Sequence, residues 1–123
     1  MERDELETLR RRAGEARTLE AALLHEIAAA VRGVFPDAPA HPEALAEPTE
    51  AVLHLVDRCL PGWAIMLKGH ATEPDGHWRC TLRRHSARDD DAVIGQGRGP
   101  TVPLAVLTAL LSVACQRTPA RTG

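Results

Sequence analysis

The sequence predicts an α+β fold: a long N-terminal coiled-coil-type helix, then a small α-β-β-(β)-α domain whose antiparallel sheet is covered by helices. Three observations predict it. Apolar residues recur every three or four positions over residues 3–34. Two short stretches, 63–68 and 78–84, alternate in side-chain character on either side of Glu73-Pro74-Asp75-Gly76, a strong turn sequence. A glycine-rich stretch, Gly95-Gln96-Gly97-Arg98-Gly99, then leads through Pro100-Thr101 into a long apolar run.

The N-terminal seam reads Leu6, Leu9, Ala13, Ala16, Glu20, Leu23, Ile27, Ala30, Val34, and only Glu20 breaks it. Leu19, Leu24 and Val31 widen it in the second half, and Gly14 weakens the first. This is the pattern of a coiled coil or of a helix laid along a partner. Gly33 and Pro36 mark its end. A continuous helix of that length would extend about 45 Å, more than the width of a small domain. Self-association through residues 3–34 is therefore the main expectation, with Leu6, Leu9, Leu23, Ile27 and Val34 as the homodimer contacts; the alternative is a helix folded back over its own domain.

Residues 36–48 hold Pro36, Pro39, Pro42 and Pro48 among Ala and Glu, the composition of a semi-rigid linker with one helical turn at 43–47. The chain thus divides into a helix at 1–35, a linker at 36–48, an α+β domain at 49–117 and a tail at 118–123. In the domain, Thr49 is the expected N-cap of a helix over 50–60 with Ala51, Val52, Leu55, Val56 and Cys59 as its apolar stripe. Pro61-Gly62 ends it. Trp63, Ile65 and Leu67 should share one face of the first strand. On the second, Trp78, Cys80 and Leu82 should face inward, with Arg79, Thr81 and Arg83 outward. A weaker third strand is expected at 92–97, and Asp89-Asp90-Asp91 before it reads as a solvated loop. Thr101 should cap the core helix at 102–116, with Pro103 tolerated in its first turn.

Composition bounds the function. Hydrophobic residues make up 44% of the 123 residues, so the chain can bury a core. Aromatics make up 2%, which argues against a base-stacking surface or an aromatic-lined pocket. A net charge of −2 excludes polyanion binding by bulk charge. The charges are uneven, however: residues 36–61 carry five acids and one base, and residues 62–100 carry six bases and five acids. Cys59, Cys80 and Cys115 are far apart, odd in number and set in apolar patterns, so reduced buried thiols in a cytoplasmic protein are expected. The apolar run at 102–115 is too short to span a bilayer, and no membrane association is expected.

The order of a helix, Leu60-Pro61-Gly62-Trp63, a strand opened by Trp78, and Thr101 with Pro103-Leu104-Ala105 opening an apolar helix resembles the small prophage-encoded proteins grouped as the phage ABA sandwich domain. The resemblance covers residues 50–116, and the N-terminal seam is additional to it. It implies a phage or mobile-element origin and an accessory role, and supplies no catalytic residues. The double-stranded-RNA-binding fold shares the α-β-β-β-α order, but it holds phosphates with lysines at the start of its last helix. This chain has Thr101-Val102-Pro103-Leu104 there.

Candidate sites follow from residue type. Arg79, Arg83, Arg84, His85 and Arg88 form the dense basic group, and Arg79 and Arg83 share the outer strand face. Arg98, within Gly95–Gly99 before a helix N-terminus, could help hold a phosphate or carboxylate, although Pro100 and Pro103 remove two N–H donors and no Walker lysine follows. His70, His77, Cys80 and His85 lie close in sequence, but their spacing and strand parity match no common zinc pattern, so no metal is expected. No cofactor and no catalytic constellation are expected either. The expected function is that of a non-enzymatic phage-type accessory protein acting on an unidentified protein partner, including inhibition of a host defence or regulatory factor. The alternatives are a dimeric nucleic-acid-binding protein using Arg79, Arg83, Arg84 and Arg88, and a small hydrolase or ligand-binding module at Gly95–Gly99.

Overall fold

A computed structural model describes residues 3–45, 47–69, 78–84 and 94–118. Four helices, α1 (Arg3–Glu15), α2 (Ala21–Val31), α3 (Pro48–Cys59) and α4 (Val102–Arg117), surround or flank three strands, β1 (Ala64–Gly69), β2 (Trp78–Arg83) and β3 (Ile94–Gly99). The strands form one antiparallel sheet in the order β1-β2-β3. The α+β class and the α-β-β-β-α order of the C-terminal part are as the sequence predicts. The turn at 73–76 and the acidic triplet at 89–91 lie outside the described residues.

At the centre is α4, in which every residue from Leu104 to Cys115 is buried. Its Thr101 cap accepts a 3.4 Å bond from the Leu104 N–H. The two polar residues inside the helix are satisfied locally. Thr108 Oγ1 donates to the Leu104 carbonyl at 2.7 Å, and Ser112 Oγ lies 3.4 Å from Gln116 Nε2. One side of α4 lies on β3 and β2, while α1 and α3 pack on it as well.

The contact with β3 depends on missing side chains. Gly95, Gly97 and Gly99 alternate along the strand and so share its α4-facing side. A Cβ on Gly97 would come within 3.0 Å of backbone atoms of Ala105, Thr108 and Ala109; one on Gly95 would meet Val113 and the Ala109 carbonyl equally closely. The glycine stretch is therefore a strand on which a helix backbone rests, with the small residues Ala105 and Ala109 completing the contact. It is the strand end leading into a helix that its glycines suggest, rather than an anion-holding loop, and the strand runs on to Gly99, two residues past the predicted end.

Because α4 lies over β3 and β2, β1 overhangs. Cys80 and Leu82 on β2 are buried at 1% and 0% exposure, as their strand parity requires. Leu67 on β1, expected inward with them, is 42% exposed, and Trp78 at the strand start is 36% exposed. The Trp78 ring lies against Gly69 rather than under the helix. Trp63 is held differently: the Arg117 guanidinium sits 5.5 Å from its ring and 5.2 Å from that of Phe35.

The predicted single helix over 3–34 is two helices. The chain leaves helical geometry after Glu15 and re-enters at Ala21, with Glu20 as an extended N-cap. Glu20 is the residue that interrupts the apolar seam, and the break turns it to solvent. The physical gain is burial. A straight rod would carry half of its seam past a small domain, whereas a hairpin lets both halves cover the core. Leu6, Leu9 and Ile27 are at most 5% exposed, and Leu23 and Val34 pack against the same core. The side chains expected to pair with a second copy are thus covered within one chain. Arg12 Nη1 and Glu26 Oε1, 2.8 Å apart and exposed, bridge the two helices.

Residues 36–45, expected as a linker, are packed. Ala38 and Pro42 are buried, a 3₁₀ turn runs over Pro42–Ala44, and Arg32 Nη2 donates to the Pro39 carbonyl at 3.3 Å. The apolar core is one cluster running from Leu6 to Cys115. In α3 the cap is Glu47 rather than Thr49. Its carboxylate accepts a 2.8 Å bond from the Glu50 N–H, which lets Pro48 occupy the first turn. The predicted stripe of Ala51, Val52, Leu55, Val56 and Cys59 is buried, and Gly62, at φ 82°, makes the turn into β1.

Two outcomes test this packing. Gly97→Ala should destabilise by about 1–3 kcal/mol through overpacking, whereas Gly14→Ala, with nothing within 4 Å of the added atom, should stabilise by about 0.5–1 kcal/mol. Chemical denaturation of both variants reads the opposite signs. Leu6→Ala should cost about 2–5 kcal/mol, and deletion of residues 1–35 should unfold the domain; a folded, cooperatively melting truncation would show that the helical hairpin is dispensable.

Candidate basic face and groove

Strand register places the charges. Lys68 pairs with Arg79, and Arg79 with Arg98, so three cations stand directly opposite one another on adjacent strands. They occupy the face of the sheet away from α4, since their neighbours Cys80 and Gly97 take the covered side. At about 4.8 Å per strand, the row spans about 10 Å. The next row on the same face is Met66, Thr81 and Gln96, and the third is Ala64, Arg83 and Ile94.

The row continues toward α1. Arg10 and Gly14 of that helix, with Arg79, Thr81, Gln96 and Arg98, line a groove of about 800 Å³ beside β3. Among the described residues, no acid lines it. Among the described residues, the ion pairs are Arg3–Glu7, Arg12–Glu26, His25–Glu43 and His41–Glu43, and none involves Arg10, Lys68, Arg79 or Arg98. Like charges directly opposite in a sheet repel. Here the described residues line them up with no acid between them.

Of the residues picked out by sequence, Arg79 and Arg98 come together. Arg83 lies on the same face one row beyond Thr81 and is half-buried; Arg84 is exposed past the strand end. Arg88 and His85 lie outside the described residues. Sequence reasoning missed Lys68 and Arg10. Lys68 was legible as an outward residue of the first strand, but its opposition to Arg79 depends on register across a loop. Arg10 comes from a helix expected to lie apart from the domain.

Of His70, His77, Cys80 and His85, the group whose spacing predicts no metal site, the three histidines lie outside the described residues. Cys80 itself is buried beneath the sheet. Donors of metal-binding type do meet elsewhere, where α2 faces the 3₁₀ turn: His25, His41 and Glu43.

The three cysteines are free and buried. Burial, with the Asp37 carboxylate adding to it, pushes the Cys59 thiol up to about 12. Burial alone pushes Cys80 up to about 11. Cys115 is also raised, by burial and by Glu7, against opposing contributions from Arg10 and Arg3. All three should therefore be poor nucleophiles at neutral pH. In native protein they should react slowly with a thiol-specific reagent and rapidly after unfolding. Fast labelling of Cys59 or Cys80 in the native state would show that their cover opens.

No helix among the described residues is long and apolar enough to cross a membrane. Comparison of the chain with protein-family models, with curated proteins and with solved structures finds no match.

Proposed function

We propose that the protein is a binding module whose open sheet face takes an acidic protein surface. The observation that carries this is the in-register row of Lys68, Arg79 and Arg98, extended by Arg10, with no acid among the described residues that line the groove. Charge of this kind favours a complementary surface and speeds encounter with it. A protein partner is preferred to nucleic acid for three reasons. Among the described residues, no aromatic side chain lies on this face to stack on a base. Met66, 49% exposed, stands beside the cations and offers apolar contact, and Met and Arg are both enriched where proteins meet. The chain's net charge of −2 gives no long-range attraction to a polyanion.

The reading requires only one chain. Self-association through residues 3–34 would have to uncover Leu6, Leu9 and Ile27. Placement among phage or mobile-element accessory proteins, with inhibition of a host factor as one form of the work, rests on the order of short motifs at Leu60–Trp63, Trp78 and Thr101–Ala105. A cytoplasmic setting is supported by three separate, unbonded thiols.

Calorimetric titration with poly-glutamate and with random-sequence duplex DNA separates the readings. Poly-glutamate should bind at low salt and weaken as salt rises. Arg79→Glu combined with Arg98→Glu should reduce its affinity by about tenfold or more, equivalent to about 1.4 kcal/mol. Arg58→Glu, on the exposed side of α3, should leave it unchanged. Preferential DNA binding with the same mutational loss would move the assignment to nucleic acid. Absence of binding to either polymer would remove the anionic-partner reading.

A further inference from the structure

We propose that His25, His41 and Glu43 form a binding site for a divalent transition-metal ion of the zinc class. The three residues come from two separate pieces of chain. His25 is on the exposed side of α2, whereas His41 and Glu43 stand at the 3₁₀ turn that packs against it. Both imidazoles aim the same atom at the same target: His25 Nδ1 lies 2.6 Å from Glu43 Oε1, and His41 Nδ1 lies 3.2 Å from it. The rings stack with centroids 5.4 Å apart and planes 20° from parallel. Donor atoms of all three residues fall within 4.8 Å of one another.

Without a metal, each Nδ1 must hold a proton to bond the carboxylate oxygen, and two donors then share one acceptor. The other oxygen, Glu43 Oε2, is buried with no hydrogen-bond partner among the described residues, an arrangement that an ion on the carboxylate would relieve.

Two imidazole nitrogens and one carboxylate oxygen are the donors that zinc, cobalt and nickel prefer, and a poor set for calcium or magnesium. Tetrahedral zinc with ligands at about 2.0–2.1 Å sets its donors about 3.3 Å apart. The His41–Glu43 pair already has nearly this spacing, the His25–Glu43 pair must open by about 0.7 Å, and the imidazole donors, within 4.8 Å of each other, must take up the same spacing. Both rings are exposed enough to do so, His41 at 71% and His25 at 49%. Three protein ligands leave a fourth position for water or for a donor from a partner. The bound ion would fasten residues 41–43 to α2 and so stabilise the fold by linkage.

The test uses the full chain, freed of metal with a chelator and titrated with Zn²⁺ by calorimetry and with Co²⁺ by visible absorption. One equivalent of each should bind, Co²⁺ should show the intense bands of a low-coordinate site, and Zn²⁺ should raise the melting temperature. His25→Ala, His41→Ala and Glu43→Gln should each weaken binding by at least about tenfold, while His54→Ala on α3 should not. His41 is exposed and outside every helix, so His41→Ala should melt like the parent without metal, and its loss of binding is decisive. The proposal is overturned if neither metal binds, or if binding survives in the His25→Ala, His41→Ala double variant.

Discussion

The fold depends on the direct contact between α4 and the glycine side of β3. A helix axis normally stands well above a sheet because side chains fill the space between them. Here Gly95, Gly97 and Gly99 present backbone to Ala105 and Ala109, and the two elements meet at main-chain distance. Such closeness adds dispersion contacts along the whole interface but tolerates no added atom. It also pulls α4 toward one side of the sheet. The overhang of β1, with Leu67 and Trp78 partly in solvent, follows from that displacement.

A helix apolar all round needs cover all round. The sheet supplies only one side, and the remainder comes from α1 and α3. This requirement explains why the N-terminal segment is not a free rod. Its seam of Leu6, Leu9 and Ala13 is spent on this chain's own core. The reversal at residues 16–20 then brings Leu24, Ile27 and Val31 of α2 into the same cluster. The segment at 36–45 is drawn in as well, and it is this packing that brings His41 and Glu43 to His25.

With one face of the sheet committed to α4, the other remains for polar residues. Alternation along each strand sends Lys68, Arg79 and Arg98 there, and antiparallel pairing aligns them across three strands. Arg10 joins them only because α1 packs beside the β3 edge. The basic groove and the helical core are thus two results of one arrangement, which ties the candidate surface to the integrity of the N-terminal hairpin.

Local chemistry in the sequence determined the elements. The α3 stripe, the Pro61-Gly62 stop, the inward Cys80 and Leu82, the outward Arg79 and the Thr101 cap are all consequences of period, cap and turn residues, whose energies act over a few positions. Two features needed the tertiary structure. The helix break at 16–20 is weakly marked locally, by Gly14 and Glu20, because it is driven by burial against α4. The meetings of Lys68 with Arg79, of Arg10 with Arg79 and Arg98 at one groove, and of His25 with His41 and Glu43 join residues that are apart in sequence. Strand register and helix packing set those distances, and side-chain period carries no information about either. The sequence by itself therefore determined which residues would be inside and which outside; the tertiary structure decided which of the outside residues face one another, because that depends on long-range packing around a single buried helix.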